Sequence, residues 1–158
     1  MARRRSTKTL QRKMSPDIVY NSKLVSKFIN TMMYDGEKAV AEKAFYEAIE
    51  IVQQKTGENG FEAFTKALEA IEPQLEVKSR RVGGVTYQVP VEVYPARRVS
   101  LAVRWVINAA RVRTGRSMSQ KLSAEIMDIL KNTGGAVKKK EEVRKMAEAN
   151  RAFSHYAW

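Results

Sequence analysis

Residues 77–89 read Val77-Lys78-Ser79-Arg80-Arg81-Val82-Gly83-Gly84-Val85-Thr86-Tyr87-Gln88-Val89. β-Branched and aromatic residues alternate with polar ones here, and Gly83-Gly84 divides the stretch into two arms. A Gly-Gly pair reaches the positive φ angles that a two-residue hairpin turn demands, so the stretch predicts an antiparallel ribbon. With the turn at Gly83-Gly84, Val82 faces Val85, Arg81 faces Thr86, Arg80 faces Tyr87 and Lys78 faces Val89. No other segment reads as a strand, and an isolated hairpin is barely stable in water. The ribbon, at about 74–94, must therefore rest on helices, on a partner, or on both.

On either side of the ribbon the period changes from 2 to 3.6. From Asn21, Leu24, Phe28, Ile29, Met32 and Met33 form a helical stripe that ends at Asp35-Gly36. A second stripe over 37–55 holds Ala41, Phe45, Ala48 and Val52 and stops near Gly57. The third holds Phe61, Phe64, Leu68 and Ile71 and stops at Pro73. Beyond the ribbon, helices are predicted over 96–113, 117–131 and 137–153. Val99, Val103, Val106 and Ala110 serve the first of these, and Met118, Leu122, Ile126 and Ile129 the second. The last has a short stripe, Val143, Met146 and Ala147, with polar Asn150 where the next apolar residue belongs. Helices this short are marginal alone, so their stripes must pack together. No repeat of 20–50 residues is present. The expected architecture is mainly α: a single domain of about six helices with one protruding two-stranded β-ribbon.

The chain has 158 residues, a single-domain length, and its 44% apolar content suffices for a core. Lys and Arg number 29 against 17 Asp and Glu, a formal net charge of +12. That balance points to a polyanionic partner, nucleic acid before an acidic membrane surface. The charge is uneven. Residues 1–13 carry six basic side chains, Arg3, Arg4, Arg5 and Lys8 among them, and no acid. Residues 14–76 carry six basic and eleven acidic, residues 77–121 ten basic and one acidic, and residues 122–158 seven and five. With Met1, Ala2 and Leu10 as its apolar groups, the first segment cannot form a buried face and reads as a basic arm on a domain spanning 14–158. It lacks the apolar side of an organelle transit peptide. No run approaches 18 apolar residues, so no membrane span is expected. A cysteine-free chain fits a reducing, cytoplasmic setting.

Arg97, Arg104 and Arg111 are spaced by seven, which turns each only about 20° from the last on a straight helix. No carboxylate lies between Arg97 and Lys121, and Arg113 and Arg116 extend the row. Guanidinium groups suit phosphates because they donate paired hydrogen bonds. Tertiary ion pairs with the acidic 14–76 block are the competing account, although its eleven acids already share six bases. Trp105, at roughly 80° from Arg97, either stacks on a base or fills the edge of the core. The ribbon sets Lys78, Arg80 and Tyr87 on one face and Ser79, Arg81, Thr86 and Gln88 on the other. Such a ribbon enters a nucleic-acid groove, or is a surface hairpin whose charges discourage edge pairing. Lys138, Lys139 and Lys140 open a helix against its macrodipole, partly offset by Glu141 and Glu142. They mark an anion site or a tolerated surface run.

Enzyme readings find no support. There is no GxxxxGK[ST] or GxGxxG, no cysteine, and one histidine, His155, between Ser154 and Tyr156. Glu42, Glu47 and Glu50 share a charged helix face with Lys38 and Lys43. No catalytic residue, cofactor, metal site or small-molecule substrate is expected.

The string VKSRRVGGVTYQVPVEV at 77–93 resembles the signature of the family of the seventh small-subunit ribosomal protein, bacterial type. The likeness extends to ARRR at 2–5, FIN at 28–30, RRVSLAVRW at 97–105 and AVKKKEEVRKMAEANRAFSHYAW at 136–158. The resemblance implies a helical domain with an extended ribbon that binds small-subunit ribosomal RNA at a multi-helix junction of the 3′ major domain. It implies that binding begins assembly of the head. It places the ribbon at the subunit interface near the exit-site transfer RNA, with the eleventh small-subunit protein as a neighbour. By position, Arg3, Arg4, Arg5, Lys8, Lys78, Arg80, Arg81, Arg97, Arg111, Arg113 and Arg116 would carry RNA contacts, and the arginine row and the helix-opening lysines add Arg104, Lys138 and Lys139 to the expected RNA-binding set. Val82, Gly83, Gly84 and Val85 approach transfer RNA. The resemblance implies a cytoplasmic ribosome ahead of an organellar one. The alternative is a DNA-binding architectural or regulatory protein, since a basic ribbon with helices also serves duplex DNA.

Overall fold

Three phenylalanines, one from each of the first three helices, decide how the N-terminal half packs. The computed structural model describes residues 13–157, so the arm expected over 1–13, with Arg3, Arg4, Arg5 and Lys8, lies outside the described residues apart from Lys13. Helix α1 is Lys23–Met32, α2 is Lys38–Thr56 and α3 is Gly60–Ile71. Phe28, Phe45 and Phe64 are fully buried. Phe28 and Phe64 meet at 5.1 Å and 89°, Phe45 and Phe64 at 5.1 Å and 80°, Phe28 and Phe45 at 5.5 Å and 50°. Edge-to-face contacts of this kind add about 0.5–1.5 kcal/mol each beyond the area they bury.

The ribbon follows as β1, Leu75–Val82, and β2, Val85–Glu92. Its register is the one the Gly83-Gly84 turn requires: Val82 pairs with Val85, Arg81 with Thr86, Arg80 with Tyr87 and Lys78 with Val89. Both turn glycines have positive φ, 58° and 84°, as a primed hairpin turn needs. Helix α4, Pro95–Val112, starts on a proline whose missing N–H is no loss at that position. Helix α5, Met118–Leu130, is capped by Ser117, whose hydroxyl accepts from the Gln120 N–H. Helix α6 is Gly135–Ala149, and a 3-10 turn covers Arg151–Tyr156. Helix α5 is the central piece, packed on α2, α3, α4 and α6. Leu122, Ile126 and Ile129 lie at or near zero exposure. The buried arc of α4 is wider than its predicted stripe, for Leu101, Ala102 and Ile107 join Val103, Val106 and Ala110, while Val99 is half-buried. Among the described residues no helix is long and apolar enough to cross a membrane.

The end of the chain departs from expectation. A single helix over 137–153 is predicted, but α6 stops at Ala149. The apolar stripe is exhausted at Ala147, and the Asn150 side chain donates to the Met146 carbonyl at 2.8 Å, taking a last-turn acceptor. The tighter 3-10 turn that follows brings residues three apart onto one line. Phe153 and Tyr156 therefore both reach Tyr87, with ring centroids at 5.2 and 5.0 Å. The Arg80 guanidinium donates to the Tyr156 carbonyl. One face of the ribbon, with Arg80, Tyr87 and buried Val89, thus rests on α6 and the C-terminal turn. The opposite face, with Ser79, Arg81, Thr86 and Gln88, is exposed.

Because the ribbon is braced from one side by few contacts, local opening should precede global unfolding there. Tyr87→Ala is expected to speed amide hydrogen exchange over 76–91 while shifting the global urea midpoint little. Protection in the ribbon equal to that of the unaltered chain would show that the aromatic contacts do not hold it.

Candidate nucleic-acid interface

The α4 arginines divide into two groups. Arg104 is exposed and makes no ion pair among the described residues. Arg116, beyond the helix end, is likewise exposed and unpaired among the described residues. Arg111 meets no carboxylate among the described residues. Its guanidinium lies 4.2 Å from the centroid of the Tyr34 ring and donates to the Met32 carbonyl at 3.1 Å. That carbonyl belongs to the last turn of α1 and has no partner within its own helix.

The expected lack of internal acids fails for Arg97 and Arg113. Arg97 grips Glu76 with Nε at 2.9 Å from both carboxylate oxygens and Nη2 at 2.8 Å from one. Lys78 joins the same carboxylate at 3.1 Å. Arg113, at the helix cap, turns inward, with Nη1 and Nη2 each at 2.5 Å from Glu125 and Asp128 respectively. The partners come from β1 and from α5, so no rule based on spacing within one helix reveals them. Arg97 still leaves half its side chain in solvent, whereas Arg113 leaves about a quarter.

The remaining candidates are also sorted by the fold. Arg81 stands on the exposed face of the ribbon, and Val82 is partly covered while Gly83, Gly84 and Val85 form its exposed tip. Arg80 is engaged by the C-terminal turn. Lys138 is exposed, Lys139 pairs with Glu142 at 2.8 Å, and Lys140 donates to the Ala70 carbonyl at 2.6 Å. Trp105 is half-buried and packs against the core.

Glu125 is the residue that sequence reasoning missed. Its carboxylate is 1% exposed, accepts from Arg113, and takes the Ala136 N–H at 2.9 Å. A signal was present, since position 125 falls within the buried Leu122–Ile126–Ile129 stripe, where a carboxylate needs a partner. Gly134 and Gly135 make the contact possible. A Cβ on Gly134, at φ 103°, would stand 3.0 Å from the Glu125 carboxylate, and one on Gly135 3.0 Å from the Ala109 Cβ.

Two consequences are measurable. Arg113→Ala leaves a buried carboxylate without its cation and should cost about 3–5 kcal/mol in urea unfolding; a loss under about 1 kcal/mol would mean Glu125 is satisfied without Arg113. Burial pushes the Glu76 carboxyl up, but hydrogen bonds and charge from Arg97 and Lys78 outweigh it and hold Glu76 below the ordinary range. A carboxylate depressed in the folded state contributes stability above about pH 4.3 that is lost as pH falls through its folded value. The melting temperatures of the unaltered chain and Glu76→Gln should therefore differ at neutral pH and converge in acid. A gap constant with pH would contradict this.

Comparison with known proteins speaks to the same residues. The family profile described as "Ribosomal protein S7p/S5e" matches residues 3–151. The chain is 58% identical over 148 residues to "Small ribosomal subunit protein uS7" of Nitratidesulfovibrio vulgaris (strain DSM 19637 / Miyazaki F), covering 94% of this chain and 95% of that protein. It is 56% identical over 158 residues to the protein of that name from Leptospira biflexa serovar Patoc, covering 100% of both. Thermoanaerobacter pseudethanolicus supplies a third, 58% identical over 148 residues, with 94% and 95% covered. The ribbon and the arginine-bearing helix lie within the profile match, the full-length alignment with the Leptospira protein also spans the C-terminal turn, and the chain belongs to the ribosomal protein S7p/S5e family, in its bacterial form.

Proposed function

We propose that this chain is a non-catalytic, structural component of the small ribosomal subunit that binds the subunit's RNA directly. The observation that carries the reading is a set of exposed cations, Arg81, Arg104 and Arg116, that find no carboxylate among the described residues, on a chain of net charge +12. The relatives' printed name, small ribosomal subunit protein, supplies the class of particle. RNA junctions are recognised by shape through phosphate and 2′-hydroxyl contacts, and a rigid helical body with cations on one helix and one ribbon suits that task.

In finer detail, the protein binds a junction in the 3′ major domain and begins assembly of the head. The arm at 1–13 adds RNA contacts through Arg3, Arg4, Arg5 and Lys8. The ribbon tip, Val82–Val85, reaches toward the exit-site transfer RNA, and the eleventh small-subunit protein is a neighbour. The setting is the cytoplasmic ribosome. Within the basic set, Arg104, Arg111, Arg116, Arg81 and Lys138 meet RNA with their charge unspent. Arg97, Lys78 and Lys139 present cations already steadied by a carboxylate. Arg113 and Arg80 act mainly by holding the elements in place.

Filter binding to a 3′ major domain fragment, set against duplex DNA of equal length at matched salt, tests the reading. RNA should bind more tightly, and contact with about eight phosphates predicts a slope of log affinity on log salt of about −6 to −7. Arg104→Ala and Arg116→Ala should each lower affinity and shrink the slope by about 1 without changing the melting temperature. Preference for DNA would favour the regulatory alternative, and a flat salt dependence would remove backbone-led binding.

A further inference from the structure

Beside the arginine row, between α4 and the start of α6, lies an open cleft of about 430 Å³ lined by Trp105, Asn108, Val112 and Lys139, with Arg113 and Glu125 also in its wall. That volume is within the about 300–1,000 Å³ of ordinary ligand sites. At about 100° per residue, Asn108, Val112 and Trp105 stand roughly 40°, 80° and 100° from Arg104, all to the same side. The cleft therefore flanks the face that carries Arg104 and Arg111.

Its chemistry is particular. The walls are mainly apolar, and Val112 leaves 87% of its surface in water at the rim. Asn108 is exposed, and its amide makes no hydrogen bond among the described residues. The carboxylate in the wall is already committed, since Glu125 accepts from Arg113 and from the Ala136 N–H. Lys139, half-exposed and paired with Glu142 at 2.8 Å, brings a cation to the cleft wall, and Arg104 stands on the adjoining face of α4. An indole, an aliphatic wall, a free amide and a nearby lysine are what an unstacked base and its phosphate require. Single-stranded and junction RNA is read by stacking splayed bases on aromatic rings and hydrogen-bonding their edges, and an Asn amide offers both donor and acceptor.

We propose that this cleft receives one unstacked nucleobase of the bound RNA, its ring against Trp105 and Val112, its edge on the Asn108 amide and its phosphate toward Lys139. The inference rests on the RNA-binding reading above and adds a base contact to a surface otherwise directed at phosphate. Gly134-Gly135 contributes by letting α6 close against Ala109, which forms the cleft's second side.

Trp158→Phe leaves Trp105 as the one indole of the two in the chain. That protein, titrated with the 3′ major domain RNA fragment, should show Trp105 emission quenched in step with filter binding. Asn108→Ala in the same background should weaken binding about tenfold, with the salt slope and melting temperature unchanged, because an amide on a base edge releases no counterion. Full affinity with Trp105 emission unchanged, or with Asn108→Ala neutral, would overturn the base site and leave the arginine row standing. Loss of all RNA binding by both the unaltered chain and the Trp158→Phe protein would instead defeat the RNA-binding reading, and the cleft with it.

Discussion

The buried carboxylate of Glu125 holds together the part of the molecule that faces outward. It sits in the central helix, accepts from Arg113 at the end of α4, and takes the Ala136 N–H in the first turn of α6. Three helices are thus tied at one oxygen pair. Such a pair in the interior adds little net stability over an apolar replacement, because desolvation offsets most of the attraction. What it supplies is geometry. A leucine at position 125 could fill the same space, but it would give neither the Arg113 guanidinium nor the α6 N-terminus a fixed direction. That contact, together with the direct packing of α6 on α4 at Gly135 and Ala109, fixes the relative placing of the two helices beside the Trp105 cleft.

Electrostatic bookkeeping over the whole chain explains why some cations stay outside. The acidic residues are concentrated in the N-terminal half, where they meet local lysines such as Lys38 and Lys66. The ten basic residues of the 77–121 stretch have one acid among them, and among the described residues Glu76, Glu125 and Asp128 form ion pairs with that stretch. Arg97, Lys78 and Arg113 use them. Arg104 and Arg116 are left on the surface, and Arg111 is steadied by a ring and a helix-end carbonyl instead of an anion. A charge held by neutral groups keeps its field, so Arg111 is oriented without being neutralised.

The ribbon shows a similar division between its two sides. Two strands alone are marginal, and here the C-terminal turn covers the Tyr87 side with Phe153 and Tyr156. The aromatic residues of one side spend themselves on bracing, and the polar side with Arg81 and Gln88 remains open. A rigid support under one face and a hydrated, cationic other face is a workable arrangement for presenting a hairpin to RNA.

Periodicity in the sequence was enough for the six helices, for the ribbon and for its register, because those depend on local spacing and on a Gly-Gly turn that admits few geometries. Net charge and its clustering were enough to point to a polyanion, and the family signature was legible in residues 77–93. Which arginines remain exposed was a matter for tertiary structure alone. Arg97, Arg104, Arg111 and Arg113 look equivalent along the chain, yet Glu76 and Glu125 reach two of them from 21 and 12 positions away. The break after Ala149 begins locally, where the apolar stripe ends and Asn150 takes the Met146 carbonyl, but the ring contacts that the 3-10 turn then makes with Tyr87 span more than sixty positions. Charge pairing and ring packing act through space, and their partners are chosen only once the backbone has brought distant segments together.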